Sequence, residues 1–291
     1  MNETLATHAA IRPPHPALPR NSCDCQIHVY GDPARYPVSN PQYQPRPNVT
    51  FEDSVRIHDA LGMDRCVIVQ TAVYRTDHSY LLDVLDRAPR DRYRAVAIID
   101  DTVSDADIRR LHDAGVRGAR FNFARFLGIR PDIAEFWRSL DRIRPYGWMI
   151  KVHAVGAELL EIEDLLRRIR DTVVLDHLGH LHAEEGLDQP AMRLILDLLK
   201  NNENWWVMLS NGPLMSQQKS GWDEAVPFGR LQYEAAPDRA IWGSDFPYPG
   251  VKGPHVPQHA EFIELLYRFL PDAAAREQVL VHNPARLFGF N

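Results

Sequence analysis

The chain has 291 residues, 45% hydrophobic and 25% charged, with 33 Lys and Arg against 39 Asp and Glu. That is ordinary globular composition, enough for one large domain or two modest ones, and a chain this long buries a sizeable core without covalent staples. The net charge of −6 and the lack of a basic stripe argue against a nucleic-acid binder.

No run approaches the ~20 consecutive apolar residues that a membrane span needs. Three cysteines, Cys23, Cys25 and Cys66, are too few and odd in number for a disulfide framework, and they point to a reducing compartment. Residues 1–20 have neither a basic n-region nor an apolar h-region, so they are not a secretory signal. Their prolines and small residues read as a flexible arm, and the expected location is the cytoplasm. No shift in composition divides residues 21–291, which read as one domain.

In chain order, short β-rich apolar runs alternate with helix-period segments. The runs are Asp24–Tyr30, Arg65–Gln70, Ala95–Asp100, Val116–Phe121, Trp148–His153, Thr172–His177, Trp205–Ser210 and Ala240–Asp245. Several are almost continuously apolar, as parallel strands covered on both faces are. The spacing predicts a helix after Thr50, with a capping-box-like start and Gly62 at its close, and another opened by Ser104–Asp107 and ended by Gly115. Further helices are predicted over Ala157–Arg170, Pro190–Asn201, Pro257–Leu270 and Asp272–Phe288. Eight strand–helix units in this order predict a single α/β domain, a (β/α)8 TIM barrel with a long connection after strand 1 and a C-terminal helix.

A barrel places its chemistry at the C-terminal ends of its strands, and those ends are polar here. Gln26 and His28 end strand 1, and Gln70 ends strand 2. Arg120 and Asn122 end strand 4, Lys151 and His153 lie on strand 5, and Asp176 and His177 end strand 6. Ser210 and Asn211 end strand 7, and Asp245 ends strand 8. Residues two apart share a strand face, so Gln26 pairs with His28 and Lys151 with His153. Asp245 follows an apolar run, and desolvation there is expected to raise its pKa and suit it to general-base work. His8, His15, His58, His78 and His112 fall in the arm, loops or helices and read as solvated. The run His177–His182 extends into the loop past strand 6 and is not read as a metal site by itself. There is no G-x-S-x-G elbow, P-loop, G-x-G-x-x-G or H-E-x-x-H.

The segments Asp24–Gly31, Gly118–Phe123, Leu175–His180, Trp242–Pro249 and Asn283–Phe288 resemble the amidohydrolase superfamily. The similarity is to the branch of 2-pyrone-4,6-dicarboxylate lactonase and related sugar-lactone hydrolases and isomerases. It covers nearly the whole chain from about residue 20 and implies a barrel with an Asp-activated water at its mouth. By carry-over Asp245 is the base, and His28 and His177 polarise the carbonyl or hold the water. Arg120 binds a substrate carboxylate.

Two departures stand out. Gln26 replaces the first histidine of the strand-1 H-x-H, and an amide is a poor zinc ligand beside imidazole. This tilts the expectation to no cofactor. The alternative is one divalent ion, zinc or manganese, on His28, His153, His177 and Asp245. His180 stands where an arginine is expected, which disfavours a dicarboxylate.

The resulting expectation is hydrolysis of a small lactone carrying one carboxylate, or of a hydroxylated sugar lactone, in catabolism. Gln26, Gln70, Asn122, His153 and His180 are expected to line the substrate, and Tyr43 to close over it from the long loop. Three alternatives stay open: isomerisation of a sugar lactone by the same residues, metal-dependent decarboxylation, and a barrel that only binds. The partner is a small lactone or carboxylic acid, not nucleic acid or membrane, and a homo-oligomer is left open.

Overall fold

A computed structural model describes residues 11–40, 49–248 and 257–291. Eight strands form one parallel sheet in sequential order. They are β1 (Cys23–Ile27), β2 (Arg65–Val69), β3 (Tyr93–Ala97), β4 (Val116–Asn122), β5 (Met149–His153), β6 (Val173–Leu175), β7 (Trp205–Met208) and β8 (Ala240–Ile241). The seam between β8 and β1 is closed by main-chain hydrogen bonds. Cys25 N donates to Trp242 O (2.9 Å), Asp245 N to Gln26 O (2.9 Å) and His28 N to Phe246 O (2.7 Å). The sheet is therefore a (β/α)8 barrel, as expected.

Two layers fill it. Val67, Val69, Val96, Met149, Val174, Trp206, Met208 and Ile241 pack with Cys23 and Cys25 in one buried cluster, the barrel interior. Alternate residues such as Ile68, Ala97, Phe121 and Leu175 join the helices in a larger cluster outside. Thr50 and Asp53 cap the helix Phe51–Leu61 reciprocally, and Ser104 and Asp107 do the same for Asp105–Ala114. The helix Pro190–Asn201 has the expected bounds. The expected Ala157–Arg170 helix is broken at Ile162. The Asp272–Phe288 stretch is helical but passes through a π-helical turn at Gln278–His282. From the arm, Ile11 and Leu18 pack on the core, and Arg12 pairs with Glu264 at 2.6 Å. Among the described residues no helix is long and apolar enough to cross a membrane.

The strands stop earlier than the apolar runs suggest, so the polar residues lie at or just past the strand ends. At β1 the register slips: Asp24 faces Cys66, but Ile27 faces Ile68. One extra residue in β1 is a bulge, which re-aims side chains. It lets Gln26 and His28 point inward although Cys23 and Cys25 already do. The Asp24 carboxylate braces the bulge. Its Oδ1 accepts from Gln26 N (3.1 Å) and Ser244 N (2.9 Å). His58 Nε2 lies 3.3 Å from its Oδ2.

Gly243 makes this seam possible, since a Cβ there would lie 2.7 Å from both Gln26 Cβ and Gln26 N. The Gly243→Ala variant is expected to lose on the order of 1–3 kcal/mol of stability, with activity lost as Asp245 is displaced. A urea unfolding midpoint equal to that of the parent would show that the seam tolerates the methyl group.

Candidate active site

A cavity of about 100 Å³ opens at the C-terminal mouth of the barrel. His28, Arg120, His153, His177, His180, Asn211 and Asp245 supply its polar wall, and Thr71, Ala72, Phe126, Leu127 and Leu214 complete it. The backbone bends sharply to deliver these groups. His177, Leu178, His180, Asn211 and Asp245 all have positive φ, between 46° and 60°. Non-glycine residues held there cost on the order of 1–3 kcal/mol each, and such strain clusters at functional sites. Gly179 (φ 72°) lies between the two histidines.

Asp245 is 4% exposed. Its Oδ1 accepts from Gln26 Nε2 at 3.1 Å and its Oδ2 from Asn211 Nδ2 at 2.8 Å. His28 Nε2 lies 3.2 Å from Oδ1. The other ring nitrogen of His28 is 2.9 Å from Val69 O. A carbonyl only accepts, so Nδ1 carries a proton. The contact with the carboxylate is a hydrogen bond when Nε2 carries one too. The expected rise in the Asp245 pKa is corrected by this environment. Burial does push the carboxyl up, but His177, His28 and the Asn211 amide outweigh it and hold the group well below the usual carboxylate range. The surrounding donors decide the sign.

His177 is neutral, because burial lowers its pKa to about 4 even with Asp245 and Asp176 nearby. Its Nε2 faces donors, Gln26 Nε2 at 2.9 Å and Arg120 Nη2 at 3.5 Å. Nδ1 faces the Ser210 hydroxyl at 2.8 Å and the Asn211 amide nitrogen at 3.0 Å; with two donors on Nε2 and a hydroxyl able to accept at Nδ1, Nε2 accepts and the proton sits on Nδ1, towards Ser210 Oγ. His180, held down to about 3 by burial and His177, has its Nε2 3.0 Å from His153 Nε2. Asn122 Oδ1, 3.1 Å from His153 Nδ1, takes the His153 proton, so the short contact is a single N–H···N bond donated by His180.

A buried ion triad sits beneath. Asp176 Oδ2 accepts from Arg120 Nε (2.9 Å), and its Oδ1 lies 3.0 Å from Lys151 Nζ. Burial acts to raise the Asp176 carboxyl, but Lys151 and Arg120 hold it at about 2.

The expected residues divide accordingly. His28, Arg120, His153, His177, His180 and Asp245 meet in one cavity. Gln26, Gln70 and Asn122 do not line it. Gln26 lies behind Asp245, and Asn122 orients His153. The Gln70 amide donates to Asp77 O (2.7 Å) and Arg75 O (3.3 Å), and so clamps the loop after β2. Tyr43 lies outside the described residues. His58 and His78 are buried rather than solvated. His58 contacts Asp24, and His78 Nε2 lies 2.8 Å from Ile98 O. Sequence reasoning missed the cavity wall made by Thr71, Ala72, Phe126, Leu127 and Leu214. Phe126, 64% exposed, is the one of these with a sequence signal: an aromatic residue in a polar loop just past a catalytic strand.

Among the described residues, the group of metal-binding side chains that converges is His153, His177 and His180, with ligand atoms within 4.8 Å of one another. It is not the set expected from the strand-1 and strand-8 residues, because His28 and Asp245 turn to each other. Within the group, His177 Nε2 already accepts from Gln26 and His153 Nε2 already accepts from His180. The lone pairs an ion needs are occupied, and the site does not fit a resident metal.

A closed eight-stranded barrel with an aspartate past β8, histidines past β1 and β6, and a buried arginine on β4 is an amidohydrolase site. The chain belongs to the amidohydrolase family, whose model matches residues 23–290, in the branch of the 2-pyrone-4,6-dicarboxylate lactonases. It is 29% identical over 279 residues to 2-pyrone-4,6-dicarboxylate hydrolase of Comamonas testosteroni, covering 93% of this chain and 91% of that one. It is 32% identical to 4-sulfomuconolactone hydrolase of Rhizobium radiobacter, over 94% of this chain and 91% of the other. It is equally similar, 32%, to D-galactarolactone isomerase of Agrobacterium fabrum, over 94% and 93%.

The neutral histidines tie the fold to pH. An unfolded histidine takes up a proton near its ordinary value of 6.5, whereas folded His177 resists protonation to about 4 and His180 to about 3. Between those values the unfolded chain binds more protons, so stability falls as pH falls from 6.5 towards 4. At pH 5 each histidine is expected to cost on the order of 2 kcal/mol. The urea midpoint should therefore drop clearly between pH 7.5 and pH 5, and equal midpoints would contradict the neutral assignment.

Proposed function

We propose that this protein hydrolyses a small lactone carrying one acidic group, by acid–base chemistry without a resident metal. The observation that carries the reading is the buried Asp245, which accepts from the Gln26 and Asn211 amides and lies 3.2 Å from His28 Nε2, at the mouth of a cavity that also contains Arg120. The lactone carbonyl lies over the cavity between them. Water attacks the carbonyl carbon while Asp245 takes its proton. Arg120, fixed through its Nε by Asp176, lines the cavity and is a donor that needs no reorganisation as charge grows on the carbonyl oxygen. Such donors are worth on the order of 3–4 kcal/mol each. The acyl–oxygen bond then breaks, and the ring oxygen leaves as a hydroxyl with the proton held by Asp245. The product is a hydroxy acid. His177 stays neutral and holds Gln26 and Ser210 in place. The role expected of it as a donor to the carbonyl therefore passes to Arg120.

The Asp245→Asn variant keeps the shape of the site and removes the base. Turnover is expected to fall by at least ~10³-fold, within the range that acid–base groups and oriented nucleophiles supply. Circular dichroism should be unchanged. Near-parental turnover on a lactone panel would overturn the assignment.

Charge sets the substrate class. Among the described residues Arg120 is the guanidinium in the cavity wall, and His180, in the position expected for a second arginine, is neutral. A monoanionic lactone is matched, and a dianionic one leaves a carboxylate unpaired. Arg120→Met should raise KM for a carboxylated or sulfonated lactone by ~10-fold or more, the range of a charge-assisted hydrogen bond. KM for a neutral lactone should change little while kcat falls for both substrates, and an equal rise in both KM values would remove the arginine from anion binding.

The D-galactarolactone isomerase relative favours a second reading, in which a hydroxyl of the substrate replaces water. The base and the donors are unchanged. NMR of the products separates the two, an open acid for hydrolysis and a new ring for isomerisation.

A further inference from the structure

Gln26 lies at the centre of the site without touching the cavity. It is fully buried, and its amide nitrogen bridges the two groups nearest the reaction, Asp245 Oδ1 at 3.1 Å and His177 Nε2 at 2.9 Å. Those two atoms are 3.8 Å apart, within the reach of two ligands ~2.0–2.1 Å from one ion. An ion bound to both would sit between them, where the amide protons point. The amide nitrogen thus does for these ligands what a cation would do: it presents positive charge to a carboxylate and an imidazole lone pair at once.

The orientation of this amide is not arbitrary. Asp245 Oδ1 only accepts, so the nitrogen must face it. Gln26 Oε1 pays for this, since it is buried with no hydrogen-bond partner. Turning the amide would aim that oxygen at a carboxylate. A buried unsatisfied acceptor costs on the order of 1–3 kcal/mol, and it persists here because the two N–H bonds on the other side are needed. Arg120 adds a second barrier to an ion, with a fixed guanidinium nitrogen 3.5 Å from His177 Nε2.

We infer that Gln26 is a positioning residue that stands in for a metal ion, holding Asp245 and His177 in register while closing the site to divalent cations. The inference rests on the reading of Asp245 as the base, but its test does not use turnover.

The test measures metal. Parent protein and the Gln26→His and Gln26→Glu variants are dialysed against zinc or cobalt(II) and passed through a desalting column. Bound metal is measured by plasma mass spectrometry and by the visible absorption of cobalt. The parent should retain less than ~0.1 equivalent. Each variant replaces a donor with an acceptor beside His28, His177 and Asp245, and should retain about one equivalent with a low-coordinate cobalt spectrum.

A full equivalent on the parent that disappears in His180→Asn would overturn the inference and assign an ion to His153, His177 and His180. Failure of both variants to take up metal while circular dichroism shows them folded would overturn it as well. If Gln26→His does not fold, Gln26→Glu, nearly the same size as glutamine, decides alone. A failed lactone assay with this metal pattern intact would overturn the proposed reaction and leave the role of Gln26 standing.

Discussion

A carboxylate removed from water must be given donors, and Asp245 dictates where they come from. Its hydrogen-bond donors lie on Gln26 and His28 at β1 and on Asn211 past β7. These flank β8 on both sides, so the anion is satisfied only when the barrel is closed. The close approach at Gly243, the extra residue in β1 and the Asp24 brace serve that closure. A buried charge left without partners costs several kcal/mol. Folding and assembly of the site are therefore one event.

The second buried anion, Asp176, divides the barrel into two electrostatic levels. Below, Lys151 and Arg120 neutralise it. Above, Arg120 also lines the cavity, so one side chain serves both levels. Its Nε is committed to Asp176, which fixes the plane of the guanidinium and orients the remaining nitrogens before a substrate arrives. A pre-oriented fork loses less entropy on binding an anion than a free side chain would. The neighbouring imidazoles are neutral because burial and the nearby Arg120 both disfavour protonation. The cavity thus presents localised positive charge and not a diffuse basic lining.

Much of this was legible in the residues. Short, largely continuous apolar runs located all eight strands, and polar residues at the ends of seven of them marked the candidate site, because a parallel barrel exposes only its strand ends. The bulge in β1 was not legible. Gln26 and His28 share a face by alternation, yet Cys23 and Cys25 occupy the interior too, and only pairing with β2 reveals the extra residue. The sign of the Asp245 shift was also hidden. An apolar run announces desolvation, but the donors that outweigh it come from distant strands. His58 and His78 read as solvated because each sits in a polar local sequence. Their partners, Asp24 and the Ile98 carbonyl, are supplied by the fold. The two helical breaks, at Ile162 and Gln278–His282, occur in segments whose local periodicity is continuous, so packing decides them.

The relation between hydrolysis and isomerisation follows from the same geometry. Both need a base beside the carbonyl, donors on its oxygen and an oxygen nucleophile. None of the charged groups distinguishes water from a substrate hydroxyl, because each offers the same proton to Asp245. The distinction falls to whatever fills the space beside the base. The uncharged, weakly polar part of the cavity wall is Thr71, Ala72, Phe126, Leu127 and Leu214, side chains with little hydrogen-bonding capacity. A substrate that places its own hydroxyl there excludes water by occupancy, whereas a flat or shorter ring leaves room for it. Under the proposed reaction the polar shell serves either nucleophile, and the choice between them rests on the shape of the apolar wall.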